Sequence, residues 1–277
     1  MDKDRQQINA RQPARWQRAR LRHPVVKGLT RGAKAAVDWV LPPRCSLCSS
    51  MINAQDGVCA SCFQDLHFLT DPLCMSCGQP HLPLEGGPVC APCLAYPPAF
   101  DWMRAAFAYN SASRSLILAL KYKDRLDVVP ALGRWMGLAS VGLIEAGDLI
   151  MPVPLHWRRY LARRYNQSAA LAQALAARTG GQYVPDWLTR NRNTAPMKAM
   201  SQKERHANVR GAFEVVEHRK AALKGARVVL VDDVYTSGAT IEALSDELRA
   251  QGVAHIGVVV VARVVRHTHL QPEFELE

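Results

Sequence analysis

One segment of the chain determines its architecture: Val228-Val229-Leu230-Val231-Asp232-Asp233-Val234-Tyr235-Thr236-Ser237-Gly238-Ala239-Thr240. Its four consecutive aliphatic residues predict a strand that is buried on both faces, as in a parallel sheet. Two acids and a turn of small residues follow, and an amphipathic helix is predicted from about Ile241 to Ala250. A strand, a short loop and a helix start together point backbone N–H groups at an anion. The segment therefore predicts an anion-binding loop at the end of a parallel strand.

The adjacent acids Asp232 and Asp233 are unusual beside such a loop. Carboxylates repel an anion, so they need another partner, and the simplest ones are the hydroxyls of a ribose or a Mg²⁺ ion. The alternative is an ordinary strand and turn whose acids cap the next helix.

The segment resembles the phosphoribosyl-pyrophosphate (PRPP) signature of the type I phosphoribosyltransferases. The resemblance implies an α/β fold with a mainly parallel sheet and flanking helices. It also implies that Asp232 and Asp233, as the catalytic acids, hold the ribose hydroxyls, and that PRPP binds together with Mg²⁺. The residues that it assigns to PRPP binding are Val231, Asp232, Asp233, Thr236, Ser237, Gly238, Ala239 and Thr240.

All eight cysteines lie in Cys-x-x-Cys pairs within a segment that repeats internally. The pairs are Cys45/Cys48, Cys59/Cys62, Cys74/Cys77 and Cys90/Cys93. Two such pairs complete one tetrahedral Cys₄ site, so two structural zinc ions are expected. Sequential and interleaved partnering of the pairs both remain open. Four disulfides would suit a secreted domain, and redox chemistry would need only one pair.

Composition places the chain among globular proteins, with 48% hydrophobic and 21% charged residues. No apolar run approaches the ~20 residues that span a bilayer, and the N-terminus lacks the apolar core of a secretory signal. We therefore expect a cytoplasmic protein without stable membrane insertion.

Positive charge is concentrated at the N-terminus and in one loop. Residues 1–44 carry eleven Lys/Arg against three Asp, a net +8 of the total +11. The segment from Trp157 to Tyr165 places four arginines among aromatic residues. Both features fit phosphate or single-stranded DNA, and both also fit solvated basic surface.

Lys121 ends a helix predicted from about Ser113, where it either offsets the helix dipole or contacts a polyphosphate. We assign Lys121 and Arg163 to the pyrophosphate of PRPP. A second helix is predicted over Val129–Ala146, a strand over Tyr183–Leu188, and a lid loop in the polar stretch Asn191–Asn208.

From about Pro43 to Val265 the chain resembles the ComF family of bacterial proteins, which are associated with DNA uptake during natural transformation. The resemblance rests on Pro42-Pro43-Arg44-Cys45 and the other cysteine pairs, Leu120-Lys121-Tyr122, Val153-Pro154-Leu155-His156, Asn166-Gln167-Ser168, Glu204-Arg205 with Asn208, Gly211-Ala212-Phe213 and Val228–Thr240. Together with the charge and the apolar spacing of the N-terminus, it predicts three parts: a basic N-terminal extension with a short helix (1–40), a tandem Cys₄ zinc-ribbon module (41–98) and a phosphoribosyltransferase-like domain (99–277).

Three functions fit the acid pair and the predicted anion loop. The first is a Mg²⁺-dependent phosphoribosyltransferase. The second is a competence factor that binds single-stranded DNA and is regulated by PRPP, and the third is a PRPP sensor that binds without turnover. PRPP, single-stranded DNA and other DNA-uptake proteins are the expected partners.

Overall fold

The computed structural model describes residues 42–53, 57–81, 87–122, 125–157, 165–192 and 200–265. Contacts divide the chain into Met1–Pro42 and Pro43–Glu277, so almost all of the described residues belong to the second unit. The basic extension predicted for residues 1–40 lies outside the described residues.

Five parallel strands form the central sheet, in the order β1-β7-β6-β2-β3, and β4 and β5 form a separate antiparallel pair. The strands are β1 (Trp102–Ala108), β2 (Leu149–Pro152), β3 (Gln182–Tyr183), β4 (Leu188–Arg190), β5 (Phe213–Val215), β6 (Arg227–Tyr235) and β7 (His255–Arg263). The parallel α/β fold predicted from the sequence is confirmed.

Helices cover both faces of this sheet. The helices of the described residues are α1 (Ala60–Asp65) and α2 (Ala91–Ala95) in the cysteine segment, then α3 (Ser111–Tyr122), α4 (Val129–Ala139), α5 (Gln167–Thr179), α6 (Gln202–Val209), α7 (Lys220–Leu223) and α8 (Ala239–Ala250). On one face lies α8, and on the other lie α4 and α5. Among the residues that the structure describes, no helix combines the length and the apolar character needed to cross a membrane.

Burial explains the uninterrupted aliphatic run of β6, the strand that precedes the site. Val228 and Leu230 face one core, to which α8 contributes, and Val229 and Val231 face the other, to which α4 and α5 contribute. Burying each of these side chains stabilises the fold by about 1.5–3 kcal/mol. A strand that is apolar on both faces is therefore stable only between two helical layers, and it places its carboxyl end at the edge of the sheet.

The zinc-ribbon segment packs directly on the edge strand β1. Leu69 N–H donates to Ala106 O (3.1 Å), and Ala108 N–H donates to His67 O (2.8 Å). Between these bonds, the Phe68 ring lies 4.8 Å from Phe107, centroid to centroid. The segment thus covers the edge strand, whose unpaired backbone groups would otherwise invite association with another chain.

Three sequence predictions differ from the structure. The acids Asp232 and Asp233 lie within β6 rather than after it, because Tyr235 still pairs with Arg263 on β7. The strand predicted over 183–188 is split between β3 and β4, which belong to different sheets. The helix predicted to reach Ala146 ends at Ala139.

The predicted lid loop contains helix α6, which the polar composition concealed. Ser201 and Glu204 form a capping box, in which the Ser201 hydroxyl accepts from Glu204 N–H and the Glu204 side chain accepts from Ser201 N–H. Two orphan donors at the helix start are satisfied in this way, so a helix with little apolar periodicity forms. The middle of the predicted lid, residues 193–199, lies outside the described residues.

Candidate active site and metal centres

The eight cysteine thiols form two compact sets of four, in sequential order. One set is Cys45, Cys48, Cys59 and Cys62, and the other is Cys74, Cys77, Cys90 and Cys93. Within each set the Sγ atoms lie within 4.8 Å of one another. The sequence left sequential and interleaved partnering open, and the structure shows the sequential arrangement.

The two sets are built by the same backbone hydrogen bonds. Cys59 N–H donates to the Cys45 sulfur at 3.3 Å, and Cys90 N–H donates to the Cys74 sulfur at 3.3 Å. Each first pair is followed by a residue with positive φ, Ser49 at 64° and Gly78 at 63°. The internal repeat in the sequence is therefore a repeat of structure.

Distances between the thiols fit zinc better than disulfides. The Cys48–Cys59 and Cys77–Cys90 sulfurs are separated by 3.6 and 3.7 Å. Tetrahedral zinc with Zn–S bonds of about 2.3 Å places its sulfurs about 3.8 Å apart, whereas a disulfide bond measures about 2.05 Å. The hydroxyl of Ser61 lowers the pKa of Cys59 to about 5, whereas burial raises the pKa of Cys62 in the same tetrad. The donor set of each cluster fits one structural zinc ion.

The acid pair near the end of β6 is held by side chains from two helices. Asp233 is buried; it accepts a hydrogen bond from Gln167 Nε2 at 2.9 Å and pairs with Lys121 Nζ at 2.8 Å. Asp232 Oδ1 accepts from Ser168 Oγ and from the Asp233 N–H, both at 2.9 Å. Among the described residues no hydrogen bond reaches Asp232 Oδ2, so this oxygen is open to a ligand.

Burial and charge repulsion raise the pKa of one of the acids, Asp232. Burial and the neighbouring Asp233 carboxylate raise the pKa of Asp232 to about 7, against the opposing effects of Lys121 and Ser168. A carboxyl group that titrates near neutral pH responds strongly to an arriving cation or hydrogen-bond donor.

Gln167 and Ser168 are site residues that the sequence analysis did not assign. They begin α5, whose N-cap Asn166 accepts a hydrogen bond from Ser168 N–H. The signal that could have found them is the position of Asn166-Gln167-Ser168 after β2, because β2 lies beside β6 in the sheet. The carboxyl ends of neighbouring parallel strands meet at one edge, where such polar residues converge.

The loop after the acids presents a helix start without a side-chain cap. Gly238 is the N-cap of α8, with φ 84°, and among the described residues no side chain bonds the first turn there. Only glycine adopts this conformation without strain. The first-turn N–H groups and the hydroxyls of Thr236, Ser237 and Thr240 are the donors available to an anion at this end.

Of the two residues predicted to bind pyrophosphate, the structure places Lys121 beside the acid pair. Arg163 and most of the arginine-rich loop, residues 158–164, lie outside the described residues. Tyr165, just after that loop, donates from its hydroxyl to Leu120 O and so ties the loop's end to the Lys121 helix. The roles of all these residues toward a ligand stay predictions.

Family models match both halves of the described chain. A double zinc ribbon domain matches residues 36–94, and a phosphoribosyl transferase domain matches residues 166–273. The first match covers both cysteine tetrads, and the second covers the acid pair and the loop that follows it.

Curated proteins match the chain over most of its length. The DNA utilization protein YhgH of Escherichia coli (strain K12) is 31% identical over 237 residues, which is 81% of this chain and 99% of that protein. Competence protein F of Haemophilus influenzae is 30% identical over 226 residues, covering 79% and 96%. Competence protein ComFC of Bacillus subtilis is 23% identical over 211 residues, covering 74% and 82%.

Solved structures with detectable likeness include phosphoribosyltransferases. An allosteric regulatory enzyme of purine biosynthesis aligns over 52% of this chain and 29% of its own, with 26% identity and a TM-score of 0.33. A hypoxanthine-guanine phosphoribosyltransferase from Bacillus anthracis aligns over 49% and 68%, with 13% identity and a TM-score of 0.33.

We predict two zinc ions per chain, each held by four thiolates. Cys62→Ser and Cys93→Ser should each reduce the content to about one zinc ion, because each removes one ligand from a different tetrad. Elemental analysis combined with thiol titration under denaturing conditions measures both quantities. Metal-free protein with four disulfides would contradict the prediction.

The raised pKa of Asp232 predicts how stability depends on pH. Because the folded-state pKa of about 7 exceeds the ordinary value of about 3.9, the free energy of unfolding should fall as pH rises between these values. Asp232→Asn removes the cost of ionising this carboxyl group in the folded state. The melting temperature of the ligand-free variant minus that of wild type should therefore be larger at pH 8 than at pH 5. Thermal unfolding at both pH values measures the difference.

Asp127→Asn is the matched control, because Arg125 lowers the pKa of Asp127. The stability that this carboxylate contributes is lost only as pH falls below the ordinary value. The difference between Asp127→Asn and wild type should therefore stay constant from pH 5 to pH 8. If the difference in melting temperature between Asp232→Asn and wild type is also the same at pH 5 and pH 8, the pKa of Asp232 is not raised.

Proposed function

The chain belongs to the ComF family, which joins a double zinc ribbon to a phosphoribosyltransferase domain, and we propose that it binds PRPP with Mg²⁺ and serves DNA uptake or utilisation in the cytoplasm. The observation that carries the proposal is the acid pair on β6, followed at once by the uncapped start of α8. Hydroxyl-binding carboxylates beside an anion-binding helix start match a sugar that carries both free hydroxyls and a phosphate.

Asp232 is the residue that binds the ribose in this proposal. Its Oδ1 is already bonded to Ser168 and to the Asp233 N–H, and its Oδ2 faces no donor among the described residues. A ribose hydroxyl that donates to Oδ2 forms a charge-assisted hydrogen bond. Asp233 is more deeply enclosed and holds Lys121 in place, so it acts on the ligand in part through that lysine.

The turn from Thr236 to Thr240 receives the 5′-phosphate. Gly238 lets the backbone approach closely, and the first-turn N–H groups of α8 place the positive end of the helix dipole at the anion. Three hydroxyl side chains add donors without adding charge. The arrangement binds a phosphate but leaves the sugar ring free to lie over the acids.

Lys121 binds the pyrophosphate in this proposal. Its ammonium carries three donors, of which the contact with Asp233 at 2.8 Å uses one. The others can stabilise negative charge on departing pyrophosphate oxygens, a task that we also assign to Arg163. The carboxylate donor set fits Mg²⁺, a hard cation that prefers oxygen ligands, and the ion would neutralise pyrophosphate charge when bound.

An enzyme that transfers the phosphoribosyl group and a regulator that only binds PRPP would use the same residues. In transfer, the bond between ribose C1 and the pyrophosphate oxygen breaks, pyrophosphate leaves, and a bond from C1 to an acceptor forms. Release of pyrophosphate in a panel of amine and nucleobase acceptors separates an enzyme from a PRPP-binding regulator.

We predict that Asp232→Asn combined with Asp233→Asn abolishes PRPP binding while the fold persists. Each lost charge-assisted hydrogen bond should cost about 1.5–3 kcal/mol, or roughly ten- to more than a hundredfold in affinity. Ser168→Ala should weaken binding by a smaller factor, because it removes only a neutral donor to Asp232. Calorimetry with Mg²⁺ and PRPP measures the affinity of wild type, the double variant and Ser168→Ala. Asp127→Asn is the control and should bind like wild type. Equal affinity of wild type and the double variant would refute the assignment.

The names of the relatives and the charge distribution together support a link to DNA. The +8 segment of residues 1–44 offers phosphate contacts. Trp157 is 58% exposed immediately before the arginine-rich loop and offers a surface for base stacking. We propose that the chain binds single-stranded DNA with little sequence preference.

The salt dependence of DNA binding tests this part of the proposal. With about five phosphate contacts, log affinity should fall with log salt at a slope of about −3 to −4. Deleting residues 1–24 should make the slope shallower, whereas Trp157→Ala should weaken binding with the slope nearly unchanged. Filter binding on oligonucleotides measures both. Equal competition by heparin, together with no effect of Trp157→Ala, would mean non-specific binding of polyanions.

A further inference from the structure

We infer that the second zinc ribbon positions the phosphate loop, through Arg263 and Tyr235. The second ribbon is the repeat that contains Cys74, Cys77, Cys90 and Cys93. The inference rests on the proposed function only for the identity of the ligand. The contact chain itself consists of described residues and runs from the Cys77 carbonyl to Gly238.

Arg263 is the residue that joins the ribbon to the sheet. It is the last residue of β7 and only 5% exposed, and its Nη1 donates to the backbone carbonyl of Cys77. Its guanidinium carbon lies 5.6 Å from the centroid of the Tyr235 ring. A buried guanidinium is costly unless its donors are satisfied, so the knuckle carbonyl and the aromatic ring stabilise it jointly.

Tyr235 transmits this contact to the loop. It pairs with Arg263 across β6 and β7, and it is the residue immediately before Thr236. A Cβ added to Gly238 would lie 2.5 Å from the Tyr235 hydroxyl oxygen, so the ring lies directly against the Gly238 backbone. The position of the ring therefore limits the position of the N-cap of α8.

The segment that follows the second ribbon in the chain contacts the same two elements. Phe100, which follows the ribbon in the chain, packs edge-on against Tyr235 with centroids 6.2 Å apart. Ala99 N–H donates to the Glu242 carboxylate in the first turn of α8, at 2.9 Å. The second ribbon and the segment directly after it thus both contact the end of β6 and the start of α8.

The first ribbon, the repeat that contains Cys45, Cys48, Cys59 and Cys62, packs away from the end of β6 and the start of α8. Its Leu47 and Val58 pack against the core that includes Phe107 and Trp135, on the other face of the sheet from α8. Its helix α1 is joined to the main body by Asn110, whose side-chain amide donates to Asp65 O at 2.8 Å. We therefore assign the positioning role to the second ribbon alone.

Arg263→Gln, compared with Arg104→Gln, tests the inference. Both arginines donate to carbonyls of the second knuckle, but Arg104 does so from β1, to Cys74 O and Met75 O. We expect Arg263→Gln to weaken PRPP affinity about tenfold, the scale of one charge-assisted hydrogen bond, and Arg104→Gln to change it less than about twofold. Arg263→Lys, which keeps a charged donor, should restore part of the affinity. Calorimetry measures affinity, and zinc content shows whether both metal centres remain.

Amide hydrogen exchange gives a readout that needs no ligand. Peptides that cover residues 231–241 should exchange faster in Arg263→Gln than in wild type or Arg104→Gln. Failure of wild type to bind PRPP would refute the proposed function, while exchange would still decide the positioning role. Unchanged exchange and affinity in Arg263→Gln, or equal losses in both variants, would overturn the inference.

Gly78→Ala and Ser49→Ala provide a second pair, in case Arg263→Gln does not fold. The two positions are equivalent in the repeats and share a positive φ. A Cβ at Gly78 would lie 2.5 Å from the Met103 carbonyl oxygen, so alanine there must displace the knuckle that carries Cys77. We expect Gly78→Ala to weaken PRPP binding and to speed exchange in residues 231–241, and Ser49→Ala to do neither. Equal effects of the two variants would contradict the inference.

Discussion

The structure depends on how two adjacent carboxylates are accommodated near the end of the central strand. Asp232 and Asp233 repel each other in a partly dry site, and an unpaired buried charge is prohibitively costly. Lys121 from α3 and the Gln167–Ser168 pair from α5 supply the compensating contacts. This electrostatic requirement brings together segments that are far apart in the chain, and it leaves one oxygen of Asp232 for a ligand.

The same edge of the sheet receives support from the metal-binding module. The residues that connect the ribbons run beside the edge strand β1, and the second knuckle contacts Arg263 at the end of β7. A closed zinc site is rigid because the metal replaces the core that so short a segment lacks. In our proposal the second zinc ribbon is therefore part of the scaffold of the sugar-phosphate site, in addition to any role toward DNA.

Rigid and adjustable parts of the site have different physical origins. The loop after β6, to which we assign the phosphate in our proposal, is fixed by the strand, the helix start and the aromatic packing of Tyr235. The charge of the acid pair is the adjustable part, because the raised pKa of Asp232 allows this carboxyl group to change its protonation near neutral pH.

The parallel α/β fold, the strand–loop–helix order around the acid pair and the pairing of the cysteines could be predicted from the sequence, because they depend on local patterns: an aliphatic run, small residues at a turn, and Cys-x-x-Cys spacing. A further local signal, the capping box of Ser201 and Glu204, was present and could have predicted α6. Three features could not be predicted and became evident in the folded chain: the cysteine pairs combine sequentially, Lys121 reaches Asp233, and Arg263 joins the Cys77 carbonyl to Tyr235. These contacts arise when strands distant in the chain become neighbours in the sheet, and no spacing within one sequence encodes that geometry.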